Sequence, residues 1–445
     1  MSANWLQASE RKLVVEMSVL PLSEAEGGAL LAPLSCFSHL ALAVSGGPDS
    51  LALMQLAASW AARASVRPTV LTVDHGLRPD AKNEAEAVAA MAAGLGLSHA
   101  TLQWLPDACA HAHAGGLQAR ARTARYDLLA AYCHAHDIEA LVTAHHLDDQ
   151  AETVLMRLKR GSGLDGLAAM SAESAWGGIA VLRPLLDVPK ARLVATLATR
   201  GVSFATDPSN SDPRFERAQL RGDSAALRRL GLTPEALARS ARRLRRAREA
   251  LEHATDAFLA AHCETHSAGY CRLDAAALAS QPEEIALRAL GRVIAAVSGR
   301  EEPLQLAKLE ALAVSLAGAP GKARTLGACR LQPFAGGLGV FREVRTRLPL
   351  PVLSLDPGAQ ALWDNRFRVA LDEAARGPVT VRALGEAGFI ELRRKLPWLA
   401  TLPRLAGLTL PACWRGDSLM DLPRPGVLAE GSGPGLRAAF VSLAH

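Results

Sequence analysis

Between residues 39 and 160 the chain alternates short apolar stretches with longer helical ones, and this alternation constrains the fold more than any other feature. Residues 39–44, 68–73, 98–104 and 138–144 read as strands. Residues 50–62, 81–95, 117–136 and 147–160 read as helices. Strands separated by helices of roughly 10–15 residues need crossover connections, and such connections build a mostly parallel sheet covered on both faces. The expected fold class is therefore α/β, a doubly wound, mostly parallel sheet. In open sheets of this kind ligands bind beyond the carboxyl ends of the strands. The residues just after Val44, Val73 and Ala144 are thus the first place to look for chemistry.

The rest of the chain divides around that core. Residues 1–38 read as an N-terminal extension with one helix near 24–34. A Pro/Asn/Ser/Asp-rich string at 207–213 marks an exit, so the α/β domain is expected over 39–215. Residues 216–347 read as a helical, basic linker domain containing one long helix at 234–261, with β-like segments at 331–332 and 339–341. Prolines at 348–355 open a small α+β C-terminal domain, 348–445. A length of 445 residues accommodates this many domains at roughly 100–200 residues each. The seven cysteines include no CxxC. That argues against a disulfide framework, a structural zinc site and a cysteine-bound iron–sulfur cluster. The N-terminus carries Arg11 and Lys12 but only a short apolar stretch broken by Glu16, unlike a signal peptide or anchor. The expectation is a cytoplasmic protein with no membrane partner. The sequence leaves its oligomeric state open, a homodimer included.

The first strand runs into Ser45-Gly46-Gly47-Pro48-Asp49-Ser50 and then a helix. Two glycines allow a sharp turn and let backbone N–H groups approach a phosphate without a Cβ in the way. The helix N-terminus adds partial positive charge at the same place. The hydroxyls of Ser45 and Ser50 can donate to phosphate oxygens. Asp49 is the misfit, because a carboxylate repels phosphate unless a cation lies between them. It points to a divalent metal, Mg²⁺. Asp49 or Ser50 as a plain helix cap is the alternative. No GxxxxGK[ST] is present, and the GxGxxG at 161–166 follows a helix rather than a strand, so neither rival nucleotide motif applies. The six-residue string resembles the PP-loop of ATP pyrophosphatase-type adenylating enzymes. That resemblance implies ATP cleavage between the α- and β-phosphates and adenylation of a substrate oxygen.

Later strings narrow the resemblance. They are Asp74-His75-Gly76-Leu77-Arg78 after the second strand, and Gln118-Ala119-Arg120-Ala121-Arg122 with Arg125 on a helix. The fourth strand leads into His145-His146-Leu147-Asp148-Asp149-Gln150-Ala151-Glu152-Thr153, followed by Lys159-Arg160-Gly161-Ser162-Gly163. Arg183-Pro184-Leu185-Leu186 and Asp207-Pro208-Ser209-Asn210 come after. Together they resemble the tRNA(Ile)-lysidine synthetase family, strongly over residues 39–221 and more loosely beyond. The resemblance implies ATP-dependent joining of free L-lysine to C2 of the wobble cytidine of a tRNA(Ile) with a CAU anticodon. An adenylated cytidine is the intermediate, and AMP and pyrophosphate are released. The implied ligands are ATP, Mg²⁺, L-lysine and that tRNA.

Asp148, Asp149 and Glu152 crowd the first turns of one helix, and Asp148 and Glu152, four apart, repel on one face. A magnesium ion shared by Asp49 and Asp149 would relieve that repulsion. Asp148 and Glu152 are then left as lysine or cytidine contacts. The alternative is that the acids merely complement the helix dipole. His146 is a candidate general base or ATP contact, and His75 a nucleotide contact. Adjacent His145 and His146 diverge, so they do not share a metal. Arg122 and Arg125 share a helix face and could hold phosphate or the anticodon. Two positions depart from the family pattern. Gln118 stands where the family commonly has Glu, and Ala218 follows Arg217 where the family tends to have Asn, with Arg221 retained.

Charge matters locally rather than globally. The net charge is only +5, yet the chain holds 42 arginines against seven lysines. Eleven arginines and three acids lie between residues 214 and 248. Arg239, Arg242, Arg243 and Arg246 fall three or four apart and form one helical stripe, a candidate phosphate track for tRNA. Arg393, Arg394, Lys395 and Arg415, with Trp398 and Trp414, are further candidates. Two rivals remain: another PP-loop tRNA-modifying enzyme of the thiolase type, and a non-catalytic ATP-dependent RNA-binding protein. Paired cysteines near the loop would favour the first and are missing, while the crowded carboxylates argue against the second.

Overall fold

Alternating burial along the strands builds a sheet with an apolar core on each face. In the computed structural model, residues 19–74, 81–104, 117–204, 214, 216–300, 302–319, 321–344, 349–425 and 435–441 are described. After α1 (Glu24–Leu31), the chain runs through β1 (His39–Ala43), α2 (Pro48–Ala61), β2 (Arg67–Asp74) and α3 (Ala81–Gly94). It continues through β3 (Ser98–Gln103), α4 (Leu117–Ala135), β4 (Ala140–Val142) and α5 (Leu147–Lys159). Leu40 and Leu42 of β1 point into one core with Leu51, Met54 and Val70, while Ala41 points into the other with Leu71, Leu129 and Leu141. This is the period of two that a strand buried on both faces imposes.

A hairpin of β5 (Glu173–Trp176) and β6 (Ile179–Leu182) completes the sheet, in the order β3-β2-β1-β4-β6-β5. All pairings are parallel except β5 with β6. This hairpin departs from the strand–helix alternation of the residues before it. Trp176 pairs with Ile179 across Gly177 and Gly178, both at positive φ, the backbone a two-residue hairpin turn requires. Because β1 lies between β2 and β4, the connections reverse direction at the β1/β4 boundary. A doubly wound sheet opens its ligand crevice at such a reversal.

Residues expected as an extension belong to this sheet's core. Leu22, Leu31 and Leu34 are buried in it. Ser23 and Glu26 form a reciprocal capping box at the start of α1. The Leu22 N–H donates to Thr196 Oγ1 at 2.9 Å, and Arg192 pairs with Glu26 at 2.9 Å. Both partners lie on α6 (Lys190–Thr199), which is followed by α7 (Glu216–Gly222) and the long α8 (Pro234–His262). The chain divides into two compact units, Met1–Arg248 and Glu249–His445. The division falls inside α8 rather than at 215 or 347.

In the second unit come β7 (Cys263–His266), β8 (Tyr270–Leu273), α9 (Glu283–Ser298) and α10 (Leu306–Gly318). They are followed by β9 (Arg324–Leu326), β10 (Cys329–Phe334) and β11 (Gly337–Arg342). The strands form an antiparallel sheet in the order β7-β8-β11-β10-β9. The β-like segments expected at 331–332 and 339–341 lie in β10 and β11. Farther on are β12 (Leu353–Leu355), β13 (Gln360–Trp363), β14 (Phe367–Leu371), β15 (Val379–Ala383), β16 (Pro411–Arg415), β17 (Ser418–Asp421) and β18 (Leu436–Phe440). They make two small sheets, β12-β15-β16-β17 and β13-β14-β18. Tyr270 and Phe341 share one apolar core with Trp363, Phe367 and Phe389, so residues either side of 347 bury a common surface. No described helix is long and apolar enough to cross a membrane.

A charged network sits inside that common core. Arg366 is fully buried and donates to Asp364 at 2.6 Å and to the Thr409 carbonyl at 3.2 Å. Arg342 of β11 holds the same carboxylate at 3.1 and 3.2 Å. Burial pushes the Arg366 guanidinium down to about 10, against the pull of Asp364. Asp364 is the carboxylate that both arginines hold, and removing it would take that counter-charge from both. Asp364→Asn preserves the left-handed backbone preference at φ 52 and should destabilise this unit by about 3–5 kcal/mol, measurable as a shift in urea unfolding.

Candidate active site

The loop after β1 and the start of α5 meet at the β1/β4 crevice. Gly46 takes φ +82, a conformation that glycine adopts without strain. Ser50 folds the loop: its hydroxyl accepts from the Ser45 N–H at 3.2 Å and donates to the Gly47 carbonyl at 3.0 Å. The expected donation from Ser50 to phosphate is therefore directed into the loop, while Ser45 is exposed. Gly47 is the N-cap of α2, with Pro48 and Asp49 in its first turn. The loop thus presents backbone donors at a helix N-terminus.

His146 is the N-cap of α5 and is almost wholly buried. Its Nε2 lies 3.4 Å from Asp49 Oδ2 and 3.4 Å from Asp149 Oδ2. The Asp149 N–H approaches Nδ1 at 3.4 Å, and Asp149 Oδ2 accepts from the His146 N–H at 3.1 Å. This cap requires an unprotonated Nδ1, with the ring proton on Nε2 between the two carboxylates. Protonation of Nδ1 would exchange the cap for an ion pair with Asp148, 3.7 Å away. Burial alone would lower the His146 pKa, but the bond to Asp49 and the charges of Asp149, Asp49 and Asp148 outweigh it and raise it. For Asp49, burial opposes ionisation, yet His146 and Lys190 hold its carboxyl below the usual range.

Lys190 was not singled out from the sequence. Its Nζ lies 3.1 Å from Asp49 Oδ2, and its backbone N–H donates to Asp148 Oδ2 at 2.8 Å. The Leu147 N–H donates to the Val188 carbonyl at 3.0 Å, so the starts of α5 and α6 are pinned together. The short string after Arg183-Pro184 contains Lys190, but nothing in its spacing marks it.

The remaining acids face α7. Glu152 is buried and accepts from Arg221 at 2.6 and 3.2 Å, with Arg217 3.8 Å away. Asp149 Oδ1 is 3.8 Å from Arg217. Asp148 thus sits on the loop side with Asp49 and Lys190, Glu152 on the arginine side, and Asp149 between them. Lys159 and Arg160 both pair with Glu216, at 3.5 and 2.6 Å, and tie the end of α5 to α7.

A hard cation has a foothold here. Asp49 Oδ1 is buried and has no hydrogen-bond partner. Among the described residues, no cluster of three or more His, Cys, Asp or Glu side chains forms a ready-made cage. One or two carboxylates completed by water and phosphate oxygens is the arrangement that suits Mg²⁺ and not a transition metal.

Other expected residues fall around this centre. Arg122 lies over the Tyr126 ring at 5.2 Å, and Arg125 is exposed on the same helix. Burial pushes the neighbouring His145 down to about 4. Asp149 opposes that shift, and the positive charges of Arg183, Arg122 and Arg217 reinforce it. The side chain of Gln118, and His75 with 207–210, lie outside the described residues. On α8 the basic stripe is split. Arg242 pairs with Asp187 at 3.2 Å, whereas Arg239, Arg243 and Arg246 are exposed and make no ion pair among the described residues. Arg245 and Arg248, off the expected stripe, bind the Met170 carbonyl and the Ser171 hydroxyl.

A glycine-rich loop between strand and helix, at the reversal of a parallel sheet, with an acidic helix opposite, defines an ATP-using PP-loop protein. The PP-loop domain family matches residues 23–225. Over 303 residues the chain is 48% identical to the tRNA(Ile)-lysidine synthase of Bradyrhizobium sp. strain BTAi1, covering 66% of this chain and 83% of that protein. It is 39% identical over 401 residues to the tRNA(Ile)-lysidine synthase of Ruegeria pomeroyi, covering 88% and 90%. It is 33% identical over 333 residues to that of Wolbachia pipientis wMel, covering 74% and 76%. The chain belongs to the tRNA(Ile)-lysidine synthase family.

With a pKa near 4 in the fold against about 6.5 when unfolded, His145 favours the folded state fully only above pH 6.5. Stability falls as pH drops from 6.5 toward 4, because the unfolded chain then binds the extra proton. NMR titration should show the His145 ring neutral at pH 5.5–8, and replacement by Gln should flatten the loss of stability across roughly that window.

Proposed function

We propose that this chain joins free L-lysine to C2 of the wobble cytidine of tRNA(Ile) bearing a CAU anticodon, consuming ATP and releasing AMP and pyrophosphate. The observation that carries the reading is the Asp49 carboxylate of the loop, with Oδ1 buried and unpartnered and Oδ2 tied through His146 to Asp149 of α5. ATP lies with its phosphates against the loop N–H groups and the start of α2, where the helix dipole favours negative charge. Asp49 and Asp149 would hold Mg²⁺, which would neutralise charge on the phosphates.

The C2 carbonyl oxygen of cytidine attacks the α-phosphorus and pyrophosphate departs. The ε-amine of lysine, deprotonated in the site, then attacks C2 and AMP leaves. Arg122 and Arg125 face the α-phosphate or the anticodon from α4. Glu152 already holds a guanidinium group, and a lysine ammonium would make the same bond to it or to Asp148. His146, bonded to Asp49, keeps the two carboxylates in place, and a role as base would require Nδ1 to give up the cap of α5. Asp148 orients α6 through the Lys190 N–H. Arg239, Arg243 and Arg246 hold tRNA phosphates, a contact that positions without reading sequence.

Radiolabelled lysine incubated with ATP and tRNA should enter only tRNA with a CAU anticodon; label in other tRNAs, or none, removes the assignment. Asp49→Asn should abolish tRNA-dependent pyrophosphate release, and undiminished release would sink the metal role. Replacing Arg239, Arg243 and Arg246 by Glu should weaken all tRNAs alike and lower the salt dependence of binding by about 1 per lost phosphate contact.

A further inference from the structure

The nucleotide loop lacks a cation of its own. Neither residues 45–50 nor any position of α2 (Pro48–Ala61) is Lys or Arg. Backbone donors and a helix dipole supply only about half a unit of positive charge, and a bound Mg²⁺ would add two, whereas a triphosphate carries three to four negative charges. Breaking the bond between its α- and β-phosphates moves more of that charge onto the departing pyrophosphate.

The fold brings one ammonium to this place from 141 residues away. Lys190 is the first residue of α6, and its backbone is fixed by Asp148. Its side chain is 37% exposed, so a ligand can reach it. An ammonium has three donors, and among the described residues one carboxylate oxygen, Asp49 Oδ2 at 3.1 Å, is its partner. Asp49 therefore aims the ammonium across the mouth of the loop and leaves two N–H bonds for a ligand.

We propose that Lys190 is the phosphate-binding cation of this site, contacting the β- and γ-phosphate oxygens of ATP and the pyrophosphate that leaves. This rests on reading the loop as the ATP site. Lys190 then acts on the leaving group and has no part in holding the adenosine or the α-phosphate, so the two products of ATP cleavage report on it differently.

The test is calorimetric titration of the full chain with magnesium pyrophosphate and, separately, with AMP. Lys190→Met should weaken pyrophosphate by about tenfold or more, leave AMP within about twofold, and leave the urea-unfolding midpoint near that of the unmodified chain. Lys190→Arg should recover part of the lost affinity. Equal losses for both ligands would mean that the residue only shapes the loop, and unchanged pyrophosphate binding would mean that it only balances Asp49. Either result overturns the proposal while leaving the ATP site standing. An unmodified chain that binds neither ligand would overturn the ATP site itself.

Discussion

The contact between Asp49 and His146 joins two segments that the chain keeps almost a hundred residues apart. Asp49 follows β1 and His146 follows β4, and these strands are parallel neighbours. Once they pair, the loop and the acidic helix must open on the same side of the sheet. The geometry of the site therefore depends on the sheet order. The carboxylates of Asp49 and Asp149 both approach His146 Nε2, each at 3.4 Å, so one ring ties the loop to the acidic helix. Burial opposes ionisation of Asp49, and His146 together with Lys190 outweighs it.

Positive charge is distributed by function around this contact. Lys190 lies toward the loop, and Arg217 and Arg221 lie toward Glu152. Arg242, Arg245 and Arg248 anchor α8 to residues of the same compact unit. Arg239, Arg243 and Arg246, also exposed on α8, make no ion pair among the described residues. A run of arginines in sequence thus divides into anchors and, among the described residues, charges with no ion pair.

The strands and helices of the first domain are legible because burial on both faces leaves near-continuous apolar runs of strand length. The same logic failed at β5 and β6, where Glu173 and Ser174 face outward and the apolar run is short. The Gly177-Gly178 turn was the available signal. Domain boundaries were less legible, because Pro-rich strings mark loops, whereas a compact unit is defined by shared apolar surface. Leu22 packs into the sheet core ahead of the expected start, and Tyr270 shares a core with Trp363 across the expected third boundary.

The sequence by itself determined the α/β alternation, the glycine-rich turn and the acidic helix start, because each is encoded within a few adjacent residues. Local strings also carried the family resemblance that the relatives bear out. Only the tertiary structure decided which charges meet. Asp148 turns to α6, Glu152 turns to α7, and Lys190 reaches Asp49, all through strand order and helix packing. Ion pairs between distant residues have no spacing rule, since the distance between two side chains is set by the sheet rather than by the number of residues between them.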